Sequence, residues 1–424
     1  MILNLSQNEL KNLQEKLQNE YNSYKDKNLK LDMSRGKPGK EQLDLSEKML
    51  TVISKNEDCF DAAGNDCRNY GLLDGIAEAK KMFADIFDCN ISEVIVGGNS
   101  SLNMMYDLVV KALLLGVANG EKAWGKYEKI KFLCPSPGYD RHFAICQSLN
   151  IEMITIPMLK NGPDMDLIEK LVKNDETIKG MWCVPKYSNP EGKTYSDDVV
   201  KRLAGLKTAA KDFRIFWDNA YMLHDIGNES DKLLNILDEA KKAGNPDIVY
   251  MFTSTSKISY PGAGVGALAS SENNINLIKK QMFFQTIGPD KLNQLRHVKY
   301  FKDANGIKDY MQKHKNILQP RFQAVIDTLS KGLGSENIAE WNIPRGGYFL
   351  SLDVQPNCAK RVVEMLKNAG VVMTSAGATF PYGVDPEDKN IRIAPTLPPV
   401  SELVVAMELL CICVKLATVE KLLK

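Results

Sequence analysis

At 424 residues, 44% hydrophobic and 25% charged, the chain is long enough for two domains or one large α/β unit with an appendage, and its composition is that of an ordinary globular protein. Its 54 basic and 53 acidic residues leave a net charge of +1, which excludes a bulk field favouring nucleic acid or an anionic membrane. Nine cysteines without a Cys-x-x-Cys pair, together with only four histidines, argue against a zinc site or a disulfide framework and fit a reduced, cytoplasmic setting.

Met1 to Lys11 alternates polar and apolar residues without a basic region and an apolar core, so no signal peptide is expected. Leu5, Leu10, Leu13 and Leu17 recur at helical spacing among Lys, Glu and Asn, which predicts an amphipathic surface helix within 5–29. Leu31-Asp-Met-Ser-Arg-Gly-Lys-Pro-Gly39 follows as an ordered turn, where Arg35 could grip a carboxylate or simply be solvated. Asn69-Tyr70-Gly71 opens onto a helix over 76–87. Val94-Ile-Val96 then runs into Gly97-Gly98-Asn99-Ser100-Ser101 and a helix over 102–115. Strand, small-residue turn and helix in that order offer free N–H groups and a positive dipole end to an anion, although Asn99 or Ser100 could be a plain N-cap. The apolar stretch 104–118 carries Asp107 and Lys111 and is too short to span a bilayer.

Apolar runs recur at 130–134, 153–156, 180–184, 214–217, 248–252 and 264–269, several of them separated by helix-length stretches. Short runs without polar alternation, interleaved with helices, predict a largely parallel sheet covered on both faces. Ligands of such sheets sit beyond the carboxyl ends of the strands. The distinctive residues fall there: Gly98 to Ser101, Pro135 to Tyr139, Lys186 to Asn189, Asp218 to Tyr221 and Ser254 to Lys257. Asp218 follows Ile-Phe-Trp, so its carboxylate needs a cationic partner unless it caps a helix. Tyr221 and Asn189 offer neutral donors suited to a phenolate oxygen, and Tyr139 a face for a flat ring.

Residues 251 to 266, Met-Phe-Thr-Ser-Thr-Ser-Lys-Ile-Ser-Tyr-Pro-Gly-Ala-Gly-Val-Gly, hold the most chemistry. An apolar run stops in a cluster of hydroxyls, a single lysine follows, and glycines clear space beside it. Lysine forms a Schiff base with an aldehyde only as the neutral amine, so its reference pKa near 10.4 has to be lowered by burial or by cations. Ser254 and Ser256 would suit a phosphate beside Lys257, although a Ser/Thr turn ahead of a surface lysine is the plainer reading.

Beyond Gly266 the chain is polar and helical through 293–329, which predicts a long connecting helix into a second domain. A strand within 344–353, a helix over 358–369, a strand over 371–374 and an amphipathic helix over 401–423 complete that domain. Asn390-Ile-Arg-Ile-Ala-Pro395 places Arg392 between isoleucines, where a guanidinium meets either a substrate carboxylate or a structural ion pair.

Taken together, these motifs resemble the pyridoxal-phosphate-dependent aminotransferases of fold type I, class I/II. Ser-Asn-Pro-Glu-Gly at 188–192 looks like their Asn-Pro-x-Gly turn, Asp-Asn-Ala-Tyr at 218–221 like Asp-x-Ala-Tyr, and Ser-Thr-Ser-Lys at 254–257 like Ser-x-Ser-Lys. The spacings fit as well, with 29 residues from Asn189 to Asp218 and 39 from Asp218 to Lys257. Met-Ser-Arg-Gly-Lys-Pro-Gly, Gly-Gly-Asn-Ser-Ser-Leu and Cys-Pro-Ser-Pro-Gly-Tyr-Asp-Arg-His-Phe look more narrowly like a bacterial branch of aspartate aminotransferases.

The resemblance implies a large domain with a mostly parallel seven-stranded sheet sandwiched by helices, plus a smaller α+β domain. Residues 1–50 would join the small domain, 51–310 form the large cofactor-binding domain and 311–424 the small C-terminal one. Lys257 would hold pyridoxal 5'-phosphate as an internal aldimine and shuttle a proton, Asp218 would keep the pyridine nitrogen protonated, and Tyr221 and Asn189 would bond the phenolate oxygen. Tyr139 would stack on the ring, and Gly98, Asn99, Ser100, Ser101, Ser254 and Ser256 would hold the phosphate. Tyr70 would reach the phosphate of a neighbouring subunit, implying a homodimer with shared sites. Arg392 would bind the substrate α-carboxylate, with Arg35, Gly36 and Asn189 lining the substrate side. Many relatives carry a phosphate-clamping arginine eight residues after the lysine; here that position is Val265. The expected reaction is transfer of the amino group of an acidic amino acid, aspartate above all, to 2-oxoglutarate by a ping-pong route. Arg35 or Arg345 would read the second carboxylate. A C–S β-lyase on the same scaffold and a cofactor-sensing regulator are the alternatives.

Overall fold

The apolar runs come together as one eight-stranded sheet. In the computed structural model, which describes residues 1–424, the order is Val94–Val96, Gly266–Ala269, Val249–Ser254, Arg214–Asp218, Ile178–Cys183, Lys131–Ser136, Glu152–Leu159 and Gly162–Pro163. Neighbours from Val249–Ser254 through Glu152–Leu159 pair in parallel, whereas Gly266–Ala269 is antiparallel to both its neighbours. The large seven-stranded sheet expected from sequence is thus extended by the Gly162–Pro163 strand, a two-residue return on Met158 and Leu159. Two residues carry no periodicity, so no pattern announces them.

Alternate side chains of each strand enter different cores, as the pleat requires. Leu133, Met181, Ile215, Met251 and Ala267 face one layer of helices. Phe132, Trp182, Phe216, Phe252 and Leu268 face the other. Phe216 lies 4.8 Å from the Trp182 ring and 6.0 Å from that of Phe252. Apart from Ala267, each such buried side chain contributes about 1.5–3 kcal/mol relative to exposure, so the sheet is a stiff platform for whatever its strand ends carry. No helix is long and apolar enough to cross a membrane.

A second core gathers around the antiparallel sheet Ala339–Trp341, Leu350–Val354 and Asn390–Ile393. The N-terminal helix, Gln7–Lys25, is fixed at its start by a reciprocal capping box between Ser6 and Glu9 and sinks Leu10, Leu17 and Tyr21 into this core. Leu31–Asp32 then pairs in parallel with Val371–Val372, which ties the segment after the first helix to the same core.

Two helical expectations need correction. The stretch 293–329 is not one helix: Lys291–Phe301 ends at Lys302, whose φ is +69°, and Asp303 caps a new helix, Ala304–Leu333, by accepting from Gly306 N at 2.9 Å. That helix contributes Ile307, Tyr310 and Met311 to the sheet core and Val325, Leu329 and Leu333 to the second core. The final helix, Val400–Leu422, is not amphipathic. Leu403, Met407, Leu409, Leu410, Cys413 and Leu416 are all buried because Gln7–Lys25, Ala304–Leu333 and Ala359–Asn368 cover it from several sides.

Candidate active site

Strand ends and one helix start converge on a cavity of about 230 Å³. Arg214–Asp218 delivers Asp218 and, just beyond, Tyr221; Val249–Ser254 delivers Ser254 and Lys257; Lys131–Ser136 leads into Tyr139, and Ile178–Cys183 into Asn189. Asn99, Ser100 and Ser101 complete the wall at the start of the Ser101–Leu115 helix, where Ser100 Oγ accepts from Asn103 N. Tyr139, Asn189, Tyr221 and Lys257 also face a second cavity, of about 480 Å³. The two spaces therefore meet at the lysine.

Asp218 is 3% exposed. Its Oδ2 lies 3.2 Å from His142 Nε2 without a hydrogen bond between them, and its Oδ1 has no hydrogen-bond partner either. His142 is held by stacking on Trp182, centroid to centroid 4.5 Å. Burial depresses the Lys257 amine below its ordinary pKa, with Arg392 acting in the same direction and the charge of Asp218 against it. Its Nζ stands 5.0 Å from the centroid of the Tyr221 ring. Burial, reinforced by Asp218, pushes the Tyr139 hydroxyl up to about 12, and burial raises that of Tyr221 well above its ordinary value. Both phenols therefore stay protonated and can donate.

At the serine end, Ser254 Oγ donates to Ser256 Oγ at 3.1 Å, and Ser256 Oγ to the Asn99 carbonyl at 3.0 Å. Gly98, expected among the anion-holding residues, does not line this cavity. Its φ of +66° makes the turn that presents Asn99 to Ser101, and it faces a neighbouring apolar recess instead. Val265 is wholly buried and accepts from Thr255 N at 2.9 Å through its carbonyl. No arginine lines the serine end. Tyr70, 79% exposed, lies outside both cavities.

The larger cavity is cationic. Arg392, 6% exposed, donates to Asp140, Asn189 and Thr374, and its guanidinium lies 4.9 Å from the centroid of Phe349. Arg35 and Gly36 line this space as expected, and Lys37 and Arg141 join them. Arg345 does not. It forms ion pairs with Asp231 at 3.4 Å and Glu229 at 3.5 Å outside both cavities, because the Asp225–Gly346 bridge and the bonds of its carbonyl to Ile226 N and Gly227 N turn it away. Sequence reasoning passed over Asp140, Arg141 and His142, although one helical turn separates His142 from Tyr139. That spacing alone could have set the imidazole beside the ring-stacking residue.

Residues 5–424 match the aspartate amino-transferase family. The chain belongs to that family. It is 46% identical over 407 residues to an aspartate aminotransferase of Corynebacterium glutamicum, covering 96% of this chain and 94% of the relative. A crystal structure of an aspartate transaminase from the same organism superposes with a TM-score of 0.96 at 43% identity, covering 99% of both chains. The fold is also that of an α-aminoadipate aminotransferase from Thermus thermophilus, at a TM-score of 0.74 and 18% identity over 92% of this chain and 93% of the other; that structure holds N-(5'-phosphopyridoxyl)-L-leucine. The chain is accordingly an aminotransferase.

In this aminotransferase, buried histidines brace the lysine segment. His224 Nε2 lies 3.4 Å from the Lys257 carbonyl, to which the Tyr348 hydroxyl donates at 3.3 Å. His297 Nε2 sits 2.9 Å from Thr255 Oγ1, and His314 Nδ1 3.0 Å from Gln42 Nε2. Burial holds His224 at about 3 and His297 and His314 at about 4, against an ordinary 6.5. Between those limits the unfolded chain binds protons that the folded chain refuses, so each histidine removes about 1.4 kcal/mol of stability per pH unit as pH falls. Glu191, raised by burial to about 7, works in the opposite sense and offsets one of them. Denaturant unfolding is expected to show stability dropping by roughly 3 kcal/mol per pH unit between pH 6 and 4.5; a flat profile there would remove these imidazoles from the account.

Proposed function

We propose that this aminotransferase binds pyridoxal 5'-phosphate at Lys257 and moves the amino group of an acidic amino acid, aspartate in the first place, to 2-oxoglutarate by a ping-pong route. One observation carries the reading: a lysine amine depressed by burial shares a cavity with a buried carboxylate whose Oδ1 lacks a partner. A protonated heterocyclic nitrogen fits that oxygen, a phenolate oxygen fits the Tyr221 hydroxyl and the Asn189 amide, and a phosphate fits Asn99, Ser100, Ser101, Ser254 and Ser256. Pyridoxal phosphate supplies, when bound, an aldehyde for the amine and an electron-accepting ring. The chain supplies the rest. Lys257 carries a proton to and from the substrate α-carbon, Asp218 holds one on the ring nitrogen, Tyr139 packs the ring flat, and Arg392 orients the α-carboxylate.

With valine at 265, hydroxyls and the helix N-terminus take up the phosphate charge. Tyr70, Phe283, Phe284 and Ile287 are all more than half exposed, an apolar surface suited to a second copy of this chain, and the homodimer brings Tyr70 to the partner's phosphate end. A cytoplasmic location matches the free, mostly buried cysteines.

Arg35, Lys37 and Arg141 line the substrate cavity without any ion pair, and a second carboxylate is the chemistry they await. Measured on the holoenzyme with 2-oxoglutarate, kcat/KM for aspartate is expected to exceed that for alanine by about 10³-fold. Equal rates would end the dicarboxylate reading, and release of pyruvate and ammonia from cysteine without any keto acid would replace transfer by lysis.

A further inference from the structure

Arg392 is not free to receive a carboxylate. Its Nη1 donates to Asp140 Oδ1 at 2.9 Å and to Asn189 Oδ1 at 3.3 Å, while Nε and Nη2 donate to Thr374 Oγ1 at 3.3 and 3.1 Å. A guanidinium has five N–H groups, and these contacts leave one, on Nη2. A bidentate carboxylate needs two parallel N–H groups from one edge. Asp140 stands on one edge and Thr374 on the other.

The occupants of Arg392 differ in how easily they can leave. Asn189 is 3% exposed, whereas the Asp140 side chain is 34% exposed and stands at the first position of the Asp140–Ser148 helix. Asp140 is also the only anion on Arg392. If it swung away with nothing in its place, a buried guanidinium would lose its counter-charge, which is costly.

We propose that Asp140 is a resident stand-in for the substrate α-carboxylate: it neutralises Arg392 before substrate arrives and yields that place to the incoming carboxylate. A monocarboxylate or an inorganic anion then exchanges one ion pair for another and gains little. A dicarboxylate makes a further pair with the unpaired cations Arg35, Lys37 or Arg141. Asp140 thereby sets a threshold that an anion reaching only Arg392 does not clear and one spanning to a second cation does, and this rests on reading Arg392 as the α-carboxylate site.

The test measures binding of succinate and of sulfate to the holoenzyme by calorimetry, for the parent, Asp140→Asn and Asp140→Ser. Serine is well suited to a helix start, so one variant remains if the other folds poorly. Both variants are expected to bind succinate and sulfate alike about fivefold more tightly, the scale of one partly exposed ion pair removed, because each anion must displace the same aspartate. Unchanged or weaker binding of both anions would overturn the proposal and leave Asp140 as an orienter of the guanidinium. Arg392→Ala separates the two layers. Succinate binding lost with Arg392→Ala in either Asp140 background keeps the carboxylate reading standing, and succinate binding retained removes it, whatever the Asp140 variants do.

Discussion

Replacing Lys257 by alanine is expected to lower kcat by about 10⁴-fold or more and to abolish the borohydride-fixed, near-visible-absorbing adduct on the protein. The scale follows from general acid–base work by a positioned group, about 10²–10⁴-fold, with covalent attachment lost in addition. Substitution by arginine would keep the charge and lose both functions, because guanidinium does not deprotonate in proteins. Folding is not at risk. Lys257 Nζ makes no ion pair, faces the Tyr221 ring and pays for its burial in a depressed pKa, so the cofactor-free variant should melt no lower than the parent. An adduct that survives borohydride treatment in Lys257→Ala would place the reactive amine elsewhere, and the second lysine bordering these cavities, Lys37, would be the first to test.

How much of this was legible in the sequence depended on whether a residue's environment is local. Lys257, Asp218, Tyr221, Asn189 and Tyr139 follow apolar strands, and a parallel sheet must bring such ends together, so their meeting in one cavity needs no long-range information. Arg345 failed for the opposite reason: its ion-pair partners, Asp231 and Glu229, lie far away in sequence and only the Asp225–Gly346 bridge brings them near. Asp140, Arg141 and His142 are consecutive, yet the helix fans them to Arg392, to open cavity and to Asp218. The Val400–Leu422 helix was misjudged because amphipathicity presumes one solvent face, and its neighbours take that face away. At Lys302 the helix break uses a non-glycine residue at positive φ, for which no glycine or proline gives notice.

Asp218→Asn is the sharper test, since it changes charge at nearly constant shape. The carboxylate is 3% exposed; one oxygen lies 3.2 Å from a His142 nitrogen that makes no hydrogen bond, and the other oxygen has no partner. Holding such a charge is unfavourable unless a cation completes it. In the cofactor-free protein the amide should therefore raise stability; in the loaded protein it removes one half of a buried ion pair, a loss of about 3–5 kcal/mol. The sign of the change in melting temperature is expected to reverse between the two forms, and kcat is expected to fall by about 10³-fold, the same energy expressed as a barrier. A structural carboxylate that merely orients His142 would lower stability in both forms alike. A kcat within tenfold of the parent, or a melting shift of one sign in both forms, would detach Asp218 from the ring nitrogen and with it the placement of the cofactor in this cavity.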